Sequence, residues 1–197
     1  MTNTLHDASL PPPFALQIPA LWTSVDLQRA GIMDHVVENV AALVPDLDVH
    51  RMREQMRVAQ ELALSLGITR CHTLVREIDD AIVILTLSCA IVRVAPKPGE
   101  DAIDLMMRTF QEGDGLDFDV LPMMNVLSGV SGEMLRVERL IPESPERMKW
   151  ANRMITYGIV HPSRQTMAML VGTSPNVNLP AVGSEFDAIA KSFFWIG

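Results

Sequence analysis

ITRCHTLVREI (68–78), DD (79–80) and AIVILTLSCAIVRV (81–94) together decide the fold of this chain. Both runs are rich in β-branched residues at period two, Asp79-Asp80 supplies turn chemistry, and Pro96 and Pro98 stop the second run. The pattern predicts a hairpin with strands over Ile68 to Ile78 and Ala81 to Val94. With a two-residue loop, Ile78 stands opposite Ala81 and Cys71 opposite Ser88, which puts Cys71 and Cys89 on different sheet faces. A three-residue loop centred on Asp80 would instead bring the two sulfurs across from each other. Free thiols are expected, because a reducing compartment keeps cysteines reduced.

Upstream, Pro11, Pro12 and Pro13 stiffen an extended segment, and Phe14 to Pro19 alternates like a short strand at a sheet edge. The three prolines act as a spacer, since a PxxP ligand with basic context is not there. From Val25 the pattern turns helical through Ile32, Val36, Val40, Leu43 and Val44, and Pro45 closes the helix. Asp48 is a good N-cap for a second helix whose stripe Met52, Met56, Ala59, Ala63 and Leu66 faces the sheet, and Gly67 fits the left-handed position past its end. Its Arg51, Arg53 and Arg57, interleaved with Glu54 and Glu61, read as a solvated, salt-bridged face.

Downstream, a third helix runs from Gly99 to about Gln111, with Glu100, Asp101 and Asp104 where the helix dipole favours anions and Ile103, Met106, Met107 and Phe110 on its buried face. Gly113-Asp114-Gly115 ends it. Four strand-like stretches follow, Leu116 to Leu127, Glu133 to Leu140, Met148 to Val160 and Thr166 to Thr173, joined by turn residues as in an antiparallel meander. Val182, Phe186, Ile189 and Phe193 then mark a last helix with one buried face. The order predicts an α+β fold, an antiparallel sheet of about six to seven strands with helices packed on it. Residues 1–13 form an extended N-terminal segment and 14–197 a single domain.

Composition narrows the partners. The 197 residues are 48% hydrophobic and 20% charged, within the globular range. A net charge of −8 opposes unspecific attraction to phosphate backbones or anionic lipid, so no nucleic-acid partner is expected. Met1 to Leu10 has no basic or apolar signal region, which predicts neither secretion nor lipoprotein export. The longest apolar run, about Ala81 to Val92, is too short and too β-branched to span a bilayer. No membrane insertion is expected, and the cytoplasm is the simplest address. Thirteen methionines, with Met106, Met107, Met123, Met124, Met148, Met154, Met167 and Met169 in close pairs, are read mainly as core filling.

No pattern for chemistry survives inspection. Asp114, Asp117 and Asp119 lack the ligand spacing of a calcium loop, and the alternation with Leu116, Phe118 and Val120 accounts for Asp117 and Asp119 as a solvent face. Ser128 and Ser131 sit in Ser-Gly-Val-Ser-Gly, but the second glycine of a nucleophile elbow would fall at Glu133. His6, His35, His50, His72 and His161 are scattered, and Cys71 and His72, as strand neighbours, point to opposite faces. No catalytic, cofactor-binding or metal-ligating residue is predicted, and no cofactor.

The tail from Tyr157 to Trp195, with the Pro162-Ser163 turn, the strand Met167 to Val171, Thr173-Ser174-Pro175-Asn176 and then Phe186 to Phe193, resembles the ending of PsbP-like domains in uncharacterised bacterial proteins. The Phe14 to Trp22 segment and the order of elements are similar too. The resemblance implies an adaptor that binds a larger protein without catalysing anything, so a non-enzymatic protein-interaction module is the first expectation, with a second copy of the chain as a further candidate partner. The alternative is a small-molecule-binding protein or hydrolase, its pocket lying between sheet and helices and lined by Met and Trp150.

Overall fold

The computed structural model describes residues 12–42, 48–78, 81–112, 122–141, 152–175 and 180–196. Seven antiparallel strands form one sheet: β2 (Thr23–Asp26), β3 (Arg70–Ile78), β4 (Ala81–Arg93), β5 (Met123–Gly129), β6 (Gly132–Ile141), β7 (Asn152–Val160) and β8 (Thr166–Pro175), in the spatial order β2-β3-β4-β8-β7-β6-β5. The helices are α1 (Ile32–Ala41), α2 (Val49–Ser65), α3 (Ala102–Glu112) and α4 (Pro180–Lys191). The fold is therefore α+β, as the sequence predicts. The hairpin takes the two-residue register, with Ile78 opposite Ala81 and Cys71 opposite Ser88. Cys71 and Cys89 consequently lie on opposite faces as free thiols. Strands β5 to β8 are the expected meander, and its last strand closes against β4.

Two elements near the N-terminus differ from expectation. The strand expected over Phe14 to Pro19 shrinks to β1 (Phe14–Ala15), which pairs with β9 (Phe194–Trp195) in a separate two-stranded sheet. Its driving force is aromatic packing, with Phe14 stacked on Phe193 at 5.2 Å between ring centroids. The helix expected from Val25 begins only at Ile32. Val25 belongs to β2 and stands opposite Cys71, because the open edge of β3 offers hydrogen bonds that an isolated helical turn cannot match. Gly31, at φ 71°, then turns the chain into α1.

The two sheet faces are covered differently. On one face α4 lays Val182, Phe186, Ile189 and Ala190 over Leu85, Leu87, Ile155, Tyr157 and Leu170, and Phe193, just past the helix, completes that core. Gly172 is required there, since a Cβ would stand 2.8 Å from the Phe186 ring. The Ser-Gly-Val-Ser-Gly segment, which does not match a nucleophile elbow, is the β5–β6 turn: the Val130 N–H donates to Lys191 O at 3.0 Å, and the Trp195 N–H to Ser131 Oγ at 3.2 Å. On the opposite face α3 buries Met106 and Phe110 against Leu135, Val137 and Met167. Met106, Met134 and Met167 are fully buried, in line with core filling, whereas Met123 is exposed.

Asp101 caps α3, accepting from the Asp104 N–H at 2.8 Å. Glu100 fastens the turn before it, accepting from Arg108 Nε at 2.8 Å and from the Lys97 N–H at 2.7 Å. The Arg108 guanidinium first, and the Lys97 amide second, hold the Glu100 carboxyl down at about 2 against an ordinary 4.5. A depressed folded-state value means that this stabilisation is complete above the unfolded pKa and is lost as pH falls through the folded one. The difference in denaturation midpoint between the parent chain and Glu100→Gln should therefore be full at pH 6 and close between about pH 5 and pH 2. A pH-independent difference would show that the Glu100 charge contributes nothing.

Candidate functional site

Helices α1 and α2 pack on each other as an antiparallel hairpin above β2, β3 and β4, yet α2 buries none of its residues. Its sheet-facing stripe is short in volume, with Ala59 and Ala63 where larger side chains would reach the strands. A cavity of about 230 Å³ remains between hairpin and sheet. Met33, Val36 and Val40 from α1 and Met56, Ala59 and Ala63 from α2 form its roof. The floor alternates in character because every second strand residue faces it: Cys71, Thr73 and Val75 on β3, and Ile84, Thr86 and Ser88 on β4. Val25, Leu27 and Ile68 close one wall. There α2 is pinned to the sheet edge by Gln60 Nε2 donating to Leu27 O at 2.6 Å.

Among the described residues, no charged side chain lines this cavity. Two of its hydroxyls, Thr73 and Thr86, belong to a row that crosses four strands in register, Thr23 opposite Thr73, Thr73 opposite Thr86 and Thr86 opposite Thr173, while Ser88 stands opposite Cys71. Thr86 and Thr173 join their hydroxyls in a hydrogen bond. Thr73 and Ser88 make no side-chain hydrogen bond among the described residues, and both face the cavity. Burial pushes the Cys71 thiol up to about 11, so at neutral pH it is a poor nucleophile.

The residues inspected for chemistry do not converge. The expected salt-bridged face of α2 is present: Arg57 reaches Glu54 at 2.7 Å and Glu61 at 2.6 Å, Arg53 reaches Asp34 at 2.7 Å, and Asp48 caps the helix through the Arg51 N–H. His161 Nδ1 accepts from the Ser163 N–H at 3.1 Å within its own turn, with Ser163 Oγ at 2.8 Å. His72 points to the α4 face, opposite Cys71, and burial first, then Arg70, lowers its pKa. Among the described residues no three His, Cys, Asp or Glu side chains converge as a metal set. No described helix is long and apolar enough to cross a membrane. Asp114, Asp117, Asp119, His6, Met148 and Trp150 lie outside the described residues.

The largest cluster of charge lies on the other face, under α4. Asp187 Oδ1 accepts from Arg136 Nε at 2.9 Å and from the Tyr157 hydroxyl at 2.6 Å, and Glu138 joins Arg136 at 2.7 Å. Glu185 receives Trp22 Nε1 at 2.9 Å and Arg76 Nη2 at 2.9 Å. Burial pushes the Tyr157 phenol well above its usual value, and Asp187 adds to this. Burial works against the Arg136 charge, but the hydrogen bonds from Glu138 and Asp187 outweigh it and raise the pKa. Through Asp187 and Glu185, which reach Arg136, Tyr157 and Arg76 on the strands, the network fastens α4 to the sheet. No protein-family model matches the sequence, and no curated protein matches it.

Proposed function

We propose that this protein works by binding rather than by catalysis, and that it takes an apolar ligand between the α1–α2 hairpin and the sheet. The cavity of about 230 Å³ carries this reading. Pockets of this kind are concave, mostly apolar and equipped with few polar groups. Burial holds the Cys71 thiol on its floor protonated, and no histidine or carboxylate among the described lining residues stands by to activate the Thr73, Thr86 or Ser88 hydroxyls.

A second reading keeps the expected protein partner. Val58 and Leu62 on α2 and Leu66 at its C-cap, four residues apart, are 52%, 60% and 61% exposed and form an apolar stripe; Leu66, expected on the sheet-facing side, lies here because the chain leaves the helix at this point. An adaptor would engage another protein there, and free thiols fit a cytoplasmic setting. The kinship with PsbP-like domains is a proposal of the same kind, supported by the order of elements and by the α4 ending.

To test binding against catalysis, the full chain is incubated with ester, phosphoester and peptide substrates, with and without divalent metal, and with neutral apolar fragments in a thermal-shift assay. Stabilisation by fragments without turnover is expected. Robust turnover abolished by substituting one Asp, His, Ser or Cys would overturn the proposal.

A further inference from the structure

Resting on that reading, we propose that the cavity under α1–α2 is selective for a neutral, mainly aliphatic molecule carrying one hydroxyl or carbonyl oxygen, which hydrogen-bonds to Thr73 and Ser88. Size sets the first limit. A dry cavity of about 150 Å³ accommodates benzene, so 230 Å³ holds about nine or ten non-hydrogen atoms. Charge sets the second: an ionised group would enter without a counter-charge, at a desolvation cost of several kcal/mol. The third limit is chemical position. The roof of Met33, Val36, Val40 and Met56 offers only apolar and thioether surface, while the floor presents two hydroxyls with no partner among the described residues. Such a floor favours a ligand oxygen over a methyl group, because a ligand that covers these hydroxyls without offering a partner takes them out of water uncompensated.

The hairpin is built to admit such a molecule. Its two ends carry left-handed glycines, Gly31 at φ 71° and Gly67 at φ 77°. Between these ends α2 has no buried residue, and the Gln60 hydrogen bond to Leu27 O is what ties it to the sheet edge. Ligand in the cavity supplies the packing that Ala59 and Ala63 leave unfilled, so amide exchange along α2 should slow when the site is occupied.

The probes are 1-octanol and octanoate, titrated into the full chain and read by thermal shift and by hydrogen exchange in α2. Octanol should raise the melting temperature and slow exchange along α2, and octanoate should bind at least about tenfold more weakly. Ala63→Phe, which fills the cavity from the roof, should abolish both octanol effects. Thr73→Val with Ser88→Ala should weaken octanol by about tenfold, the order expected for lost hydrogen bonds, and Thr73→Ser should retain it. Equal binding of octanol and octanoate, or undiminished binding by the Val/Ala variant, would overturn the selectivity while leaving a binding cavity in place. No response to either probe in the parent chain, or a response that survives Ala63→Phe in a folded variant, would overturn the cavity as the binding site altogether.

Discussion

Phe186→Ala is expected to cost about 3 to 5 kcal/mol in chemical denaturation, the range for truncating a fully buried phenylalanine. Phe186 is 0% exposed and touches both sheet and edge, with its ring seated over Gly172 and its centroid 5.9 Å from that of Trp22. Truncation removes apolar contacts and also leaves a void above a glycine, which has no side chain to move into it. The cavity term therefore adds in full to the transfer term. A loss below about 1 kcal/mol would mean that α4 is not packed on this face.

Asp187→Ala should be the most damaging polar substitution, at about 2 to 4 kcal/mol in the same assay. It removes the acceptor of Arg136 and Tyr157 together, and these are 8% and 0% exposed. Arg136 then keeps only Glu138 as an acidic partner among the described residues, a carboxylate that Arg153 also engages, so its buried charge is less well compensated. The figure lies below the full cost of a broken buried pair because the Asp187 side chain is 27% exposed, so water can reach part of the gap. Glu61→Ala provides the contrast: its pair with Arg57 is exposed on both sides and should be worth less than about 1 kcal/mol. Similar losses at the two sites would show that the Arg136 network is as well solvated as the helix surface.

Much of the candidate site was legible one strand at a time. The period-two pattern of 68–94 places Cys71 and Ser88 on one face and Cys89 on the other, and the observed register agrees. The same alternation puts Thr73 and Thr86 beside Cys71 and Ser88, and that was the available signal for a hydroxyl-bearing floor. That signal is unspecific, because half-buried threonines suit any strand surface. What those hydroxyls face depends on where the α1–α2 hairpin comes to rest, some distance along the chain. The stripe of α2 shows the limit from the other side. Its spacing points Met56 and Ala63 toward the sheet, but spacing says nothing of how far away the sheet lies.

Local chemistry by itself determined the types of the longer elements, the hairpin register, the Asp48 cap, the meander and the buried face of α4, since each depends on residues a few positions apart. Tertiary structure alone decided that Val25 joins a strand, that Phe14 pairs with Trp195, and that β8 closes against β4. It also decided that α2 stands off the sheet over a cavity. These outcomes are settled by partners far apart in sequence, through hydrogen bonds at strand edges and the volume of facing side chains, and neither quantity is written in the periodicity of a single segment.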